Sequence, residues 1–507
     1  MKAHGLASRW RRALVVVSIL GAVAIAPGAR ADANSGGLKP DVRLLIDISG
    51  SMKQSDPENL RAPALDLIVR LLPDGSRAGV WIFGEDVRQL IEHRVVDAAW
   101  REEAQRAVAE IDNSGQRTNI PAALAAATYD LDRIDPNYRV SIILLTDGKV
   151  DVSESPMVNA RAARSVLTRL APDLGATGIP VHTIALSDEA DWRFLRSLAR
   201  STDGVAEKAI TPAELTAIYL HSLEMVAPAP TVPVEDNTFL IDDSVEEFTA
   251  LVFFDQSRNQ VGLVSPGGVR FGPAVARTGV EWFRNQQFAL VTVADPEPGT
   301  WRLRAPGSKL ARITVIADLQ LEADPMPNNL PAGQHAELGL RLREGSEIIS
   351  DAEVLRLFAL RVDIEGSGGF QRSVDVSADY PVPANGEYRV AIAGIERPGR
   401  YQVTARLDGK TLQRQIRLYV EVTPSAATSS ISTRGEALPP VDFRTPALVL
   451  GSVVLLLAAL VYWYLRRRRL RRLELWRRRS RETAANDSES GLLVGLRAPS
   501  EERKEAP

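Results

Sequence analysis

Leu44-Leu45-Ile46-Asp47-Ile48-Ser49-Gly50-Ser51-Met52 decides how the 507-residue chain is read. Three bulky apolar residues make a short buried run, and the polar residues that interrupt it alternate with Ile and Gly in a way no helix face would tolerate. The run therefore reads as a strand that ends at Asp47 and opens into a loop. Outward from it, Ser55-Asp56-Pro57-Glu58 predicts a helix start with a cap and an early proline, leading into Leu60, Ala64, Leu65, Ile68, Val69 and Leu72 at helical spacing. Gly79–Phe83, Val140–Leu145 and Val181–Ala185 read as further buried strands, with Pro121–Leu131, Ala160–Leu170 and Glu214–Met225 as helical segments between and after them. This rhythm, over residues 40–226, predicts an α/β domain around a parallel sheet. It sets Asp47 at the carboxyl edge, where open α/β sheets bind ligands.

Asp47, Ser49 and Ser51 form an Asp-x-Ser-x-Ser arrangement, and two further pieces stand at matching places. Thr118 lies in Gly115-Gln116-Arg117-Thr118-Asn119 before a helical segment, and Asp147-Gly148 follows the strand Val140–Leu145. Two carboxylates and three hydroxyls on three loops make an all-oxygen donor set, suited to Mg²⁺ with Mn²⁺ as a substitute, and offer no soft ligand to zinc or copper. Together these residues resemble the metal-ion-dependent adhesion site of von Willebrand factor type A domains. The resemblance implies a doubly wound, Rossmann-like fold. It implies direct contact with the ion from Ser49, Ser51 and Thr118, and contact mainly through water from Asp47 and Asp147. It also implies that the ion's last position takes an Asp or Glu carboxylate from a partner protein. Arg117 departs from the usual pattern, in which glycine often precedes the threonine, and its side chain has two open roles: shielding the site or orienting an incoming carboxylate. Asp151 reads as a solvated loop residue near the rim.

Ala227-Pro228-Ala229-Pro230-Thr231-Val232-Pro233 reads as an extended, stiff linker. Beyond it short alternating segments recur, punctuated by Pro-Gly and Asn-Gly turns. They predict two β-sandwich domains, over residues 234–318 and, immunoglobulin-like, over residues 319–422. Pro298-Gly299-Thr300-Trp301 is echoed by Pro398-Gly399-Arg400-Tyr401, in each case a turn before a strand whose aromatic would plug a sandwich. Residues 423–445, rich in Ser, Thr, Ala and Pro, read as a flexible stalk.

The two ends concern membranes. Arg9, Arg11 and Arg12 precede the apolar run Ala13–Ala26, and Ala29-Arg30-Ala31 supplies a small-x-small pattern, so residues 1–31 read as a secretory signal. Residues 446–465 hold twenty residues without a charge, about 30 Å as a helix, enough to cross a bilayer. Tyr462-Trp463-Tyr464 forms an aromatic belt, and the arginines from Arg466 onward assign the basic tail, residues 466–507, to the cytoplasmic side. The expected topology is a type I single span with the α/β and β domains exported, in two-membrane bacteria to the periplasm.

Between the two basic ends the chain carries 43 basic and 57 acidic residues, a surface that repels nucleic acid. It has no cysteine, hence no disulfide and no lipid-modified cysteine. Its five histidines, His4, His93, His182, His221 and His335, show neither metal-ligand nor triad spacing. Gly366-Ser367-Gly368-Gly369 reads as a hairpin turn, not a phosphate cradle. The expectation is therefore a non-enzymatic, membrane-anchored, Mg²⁺-dependent protein-binding module. A second reading is a receptor-like envelope sensor that signals through its basic tail. A third, a metal-assisted hydrolase, would need a general base beside Asp47. No feature of the sequence sets an oligomeric state.

Overall fold

The computed structural model describes residues 38–254, 261–273, 277–304 and 308–425, together with Leu460, Tyr462, Trp463, Arg466 and Arg467. The described residues up to 425 belong to one compact unit, and those from 460 onward to a second. In the second unit the described residues are helical, and the Arg467 guanidinium lies 4.5 Å from the centre of the Trp463 ring. The expected signal, most of the stalk, the span and the tail lie otherwise outside the described residues. Among those described, no helix is long and apolar enough to cross a membrane.

The α/β domain is built on β1 (Lys39–Asp47), β2 (Arg77–Phe83), β3 (Val87–Val95), β4 (Tyr138–Thr146), β5 (Val181–Ala185) and β6 (Ala206–Lys208), in the order β3-β2-β1-β4-β5-β6. All neighbours are parallel except β3, which runs antiparallel to β2. The strand order reverses between β1 and β4, and that switch point opens the crevice in which such sheets bind ligands. Its helices are α1 (Met52–Ser55), α2 (Arg61–Leu71), α3 (Ala98–Ala107), α4 (Ile120–Ala127), α5 (Pro156–Ser165), α6 (Ala171–Ala176), α7 (Trp192–Ser201) and α8 (Pro212–Val226).

Helices on both faces explain why β1 is apolar without alternation. Val42, Leu44 and Ile46 enter a core with Leu65 and Ile68 of α2, Trp100 of α3 and Tyr219 of α8. Leu45 points the other way, into a core with Leu124 of α4 and Leu195 and Leu198 of α7. The second helix starts later than its cap signal. The Asp56 carboxylate accepts from the backbone N–H of Leu60 (2.7 Å) and Arg61 (3.2 Å), across a turn in which Asn59 has φ 52°. Strand β3 has no counterpart in the sequence reading, because an edge strand with one wet face needs few apolar residues.

His182 lies inside β5, buried, with its Nδ1 accepting from the Val205 N–H at 3.3 Å. Burial, helped by the charges of His221 and Arg139, pushes its pKa down to about 3. Below its ordinary value of 6.5 the unfolded chain takes up a proton that the folded chain refuses. Stability is therefore lost as pH falls from 6.5 towards 3, by at most about 1.4 kcal/mol per pH unit from this residue. Urea unfolding of His182→Gln should show a shallower loss over that window than the parent; equal slopes would mean that His182 already titrates normally in the folded state.

Eight strands of residues 238–317 form two four-stranded sheets, ordered 270–271, 262–264, 299–304, 238–241 and 280–284, 288–294, 245–254, 308–317. Their shared interior holds Phe239, Phe248, Val291 and Trp301. Residues 319–423 form a second pair of sheets around Leu338, Val362, Tyr401 and Val420. Trp301 and Tyr401 occupy equivalent places. Each follows a glycine at positive φ (Gly299, 128°; Gly399, 153°), is buried, and donates to the carbonyl four residues back, Glu297 or Arg397, at 2.8 Å.

The proline-rich segment 227–233 is packed into the domain junction. Thr231 and Val232 are buried, Thr231 bridges to both Thr314 and Gln415, and the Val232 N–H donates to the Ile313 carbonyl at 3.0 Å. Extended backbone, which proline favours, is also the conformation that pairs with a sheet edge, so this composition allows a buried seam as readily as an open tether. Buried ion pairs fasten the same junction: Arg414 with Asp242 at 2.6 Å, and Arg312 of the first β domain with Glu224 of α8 at 3.2 Å.

Candidate metal centre

Strand β1 delivers Asp47 to the carboxyl edge of the sheet with its side chain wholly buried. There Asp47 Oδ1 accepts from the Ser49 N–H at 2.8 Å and Oδ2 from the Thr146 hydroxyl, so the carboxylate pins the turn that follows it. That turn sets Ser49 and Ser51 side by side, their Oγ atoms 3.1 Å apart. Strand β4, next to β1, brings Asp147 opposite, and the Ser51 hydroxyl donates to Asp147 Oδ1 at 2.8 Å. A hydroxyl that the sequence reading took for a helix cap, Ser55, donates to Asp147 Oδ2.

Thr118 arrives from a third loop, and close backbone approach holds it there. The Gly115 N–H donates to the Ile48 carbonyl at 2.9 Å, and a Cβ on Gly115 would lie 2.9 Å from that same oxygen, so only glycine lets the two loops meet. Thr118 and Asp151 exchange backbone hydrogen bonds at 3.1 and 3.0 Å. The Thr118 side chain lies against Gly148, where a Cβ would stand 2.9 Å from its Oγ1. Asp47, Ser49, Ser51 and Asp147 are thus joined by direct hydrogen bonds, and Thr118 joins them by packing on the Asp147-Gly148 turn.

Burial pushes the Asp47 carboxyl up to about 6, against the hydrogen bonds from Thr146 and Ser49, and the charge of Asp147 adds to the rise. A buried carboxylate beside a second one is a place where a cation is favoured. The donor set fits Mg²⁺. Hydroxyl and carboxylate oxygens are the hard donors that Mg²⁺ takes, and those of Ser49, Ser51 and Asp147 stand next to one another, 3.1 and 2.8 Å apart in succession. No group of three or more His, Cys, Asp or Glu side chains set to hold a metal occurs among the described residues. Hydroxyl-rich coordination would leave the ion's charge weakly neutralised and receptive to a further anionic oxygen.

Arg117 lies on the rim of the site. Its Nη1 lies 3.2 Å from Asp151 Oδ1, with Glu85 and Glu154 each at 3.9 Å, so its charge is engaged on the rim. Asp151 is more than a solvated loop residue, since its carboxylate also accepts from Asn159 Nδ2 at 2.9 Å. Sequence reasoning missed Thr146, Ser55 and Arg61. Arg61, fully buried beneath the site, donates to the Asp47 carbonyl, to Asp56 at 2.7 Å and to Asn113.

Residues 41–223 match the family model described as von Willebrand factor type A domain. No curated protein sequence matches the chain. Among solved structures, the chain is similar to von Willebrand factor type A from Catenulispora acidiphila, with 17% identity, 71% of this chain and 67% of that one covered, and a TM-score of 0.32. It is also similar to proximal thread matrix protein 1 from the mussel byssus with zinc occupied MIDAS motif (17% identity, 39% of this chain and 50% of that one, TM-score 0.30). A third is manganese-loaded Plasmodium vivax TRAP protein (22%, 32% and 63%, TM-score 0.25). The chain thus spans between half and two thirds of the length of these three. At such scores they carry no argument about its chemistry, which rests on the residues and on the family match.

Proposed function

We propose that this protein is a membrane-anchored binding module of the cell envelope, which holds Mg²⁺ at Ser49, Ser51, Thr118, Asp47 and Asp147 and captures an Asp or Glu carboxylate of a partner protein. The observation that carries the reading is the convergence of hard oxygen donors from three loops at the carboxyl edge of the sheet: Ser49 on Ser51 at 3.1 Å, Ser51 on Asp147 at 2.8 Å, and Thr118 packed on the Asp147-Gly148 turn. Mn²⁺ suits the same oxygens. When bound, the ion would supply an electrophile for the partner's carboxylate. The chain's own residues orient it: Asp47 fixes the serine turn, Thr146 and Ser49 fix Asp47, and Gly115 and Gly148 let the three loops close. The match of residues 41–223 to type A domains, generally interaction modules and not enzymes, supports binding over catalysis. Type I anchoring through residues 446–465, with the site outside the cytoplasm, completes the proposal and rests on the sequence.

The test is capture of envelope proteins by the detergent-solubilised full chain, with Mg²⁺ or with a chelator. A partner held by the parent in Mg²⁺, and by neither the parent in chelator nor folded Asp147→Ala, is the expected result. Equal capture in all three would overturn the proposal.

A further inference from the structure

Far from the metal centre, a cleft of about 340 Å³ opens between the α/β domain and the second β domain. Small-molecule sites favour domain junctions and volumes of roughly 300–1,000 Å³. The α/β side contributes Val205, His221 and Met225, and the β side contributes Glu365, Tyr401, Gln402, Tyr419 and Val420 among others.

The walls are apolar and aromatic, and the Arg400 charge and the two tyrosine hydroxyls already have partners. Arg400 is tied to the buried Glu207 at 2.6 Å and to the Ala206 carbonyl at 3.0 Å. The Tyr419 hydroxyl donates to Glu224 at 2.5 Å, and Tyr401 donates to Arg397. Gln402 Nε2 donates to Thr404 at 3.0 Å, which leaves its amide oxygen as acceptor. His221 Nδ1 lies 2.9 Å from Glu207 Oε2. His221 also meets the Tyr419 ring edge-on, centroids 4.0 Å apart. Of the two lining carboxylates, Glu421 has Arg200 at 3.2 Å, while Glu365 is exposed and faces no described cation within ion-pair distance. What the cleft offers is therefore one uncompensated negative charge, one neutral acceptor and an aromatic wall.

We infer that this cleft is a second binding site, for a small organic cation: a protonated amine on a compact aromatic or aliphatic body. The body would lie against Tyr419, Met225 and Val420, and the ammonium would face Glu365 and Gln402 Oε1. A bound ligand would span both domains at their junction.

Calorimetric titration of the full chain in detergent tests this, with a chelator present so that the metal centre does not contribute. The probes are benzylammonium, its neutral counterpart benzyl alcohol, and benzoate. Benzylammonium should bind at least about tenfold more tightly than either, the worth of one charge-assisted hydrogen bond. Glu365→Gln, an exposed change that leaves the fold intact, should remove most of that preference. Gln402→Ala should weaken benzylammonium without restoring benzyl alcohol. Undetectable binding of benzylammonium, equal binding of the charged and neutral probes, or an unchanged preference in Glu365→Gln would each overturn the inference, and none of these bears on the metal centre.

Discussion

Asp47→Asn abolishes the response to Mg²⁺ while leaving the metal-free protein as stable as the parent or more so. The two halves of this result have one cause. Without a cation, the buried Asp47 carboxylate is costly to ionise, because burial and the neighbouring Asp147 charge hold its pKa at about 6, compared with 3.8 when free. A carboxyl whose pKa is raised by folding contributes stability below its unfolded value, and that contribution is lost as pH rises through the folded value. The metal-free parent should therefore lose stability from this group between about pH 4 and 6. At neutral pH the shift corresponds to about 2–3 kcal/mol. Asparagine keeps the acceptor for the Ser49 N–H, offers its amide to Thr146, and carries no charge. With Mg²⁺ the sign reverses: at a free concentration 100 times Kd, the parent gains about 2.7 kcal/mol that the variant does not. Denaturant unfolding at pH 4.5 and 7.5, in chelator and in Mg²⁺, reads all four values. A variant that kept the Mg²⁺ gain would place Asp47 outside the ion's surroundings.

The parts of the site that could be read in the sequence are those where function and local order coincide. Asp47, Ser49 and Ser51 lie within five residues at the end of an apolar run, so strand, loop and donor set appear in one glance at the chain. Thr118 and Asp147 are single residues in ordinary loops, and only the resemblance singled them out. Ser55 looked like a helix cap because Ser-Asp-Pro usually is one; its hydroxyl instead reaches Asp147, 92 positions away. The packing of residues 227–233 was not legible for a physical reason as well. Proline content reports an extended backbone and says nothing about whether water or a sheet edge lies beside it, and here Thr231 lies against two sheets. Strand β3 was invisible because an edge strand can be polar on its outer face.

Arg61→Ala costs about 3–5 kcal/mol of stability, the usual penalty for leaving a buried charge unpaired. The residue is wholly buried, and its guanidinium meets four groups that come together only in the folded chain: the Asp47 carbonyl, Asp56, Asn59 and Asn113. Truncation leaves the Asp56 carboxylate, 3% exposed, without its cation, and leaves the Asp47 carbonyl without this donor. The double variant Arg61→Ala/Asp56→Ala should therefore lose less than the two single losses added together, because the stranded charge goes with it. Arg61→Lys separates stability from function. Lysine keeps one charge for Asp56 but cannot reproduce the planar fork that reaches Asp47 and Asn113 together. Asp47 begins the serine turn, and Asn113 opens the loop that carries Thr118, so this fork holds two of the three metal-facing loops at a fixed spacing. Arg61→Lys should fold, with a stability loss smaller than that of alanine, and bind Mg²⁺ about tenfold more weakly, since donor positions must be held to within about 0.5 Å for a demanding site. Unfolding curves and calorimetric Mg²⁺ titration of the two variants measure these quantities side by side. Parent-like Mg²⁺ affinity in Arg61→Lys would mean that the loops keep their spacing through the Gly115–Ile48 contact alone, and that Arg61 serves the fold and not the site.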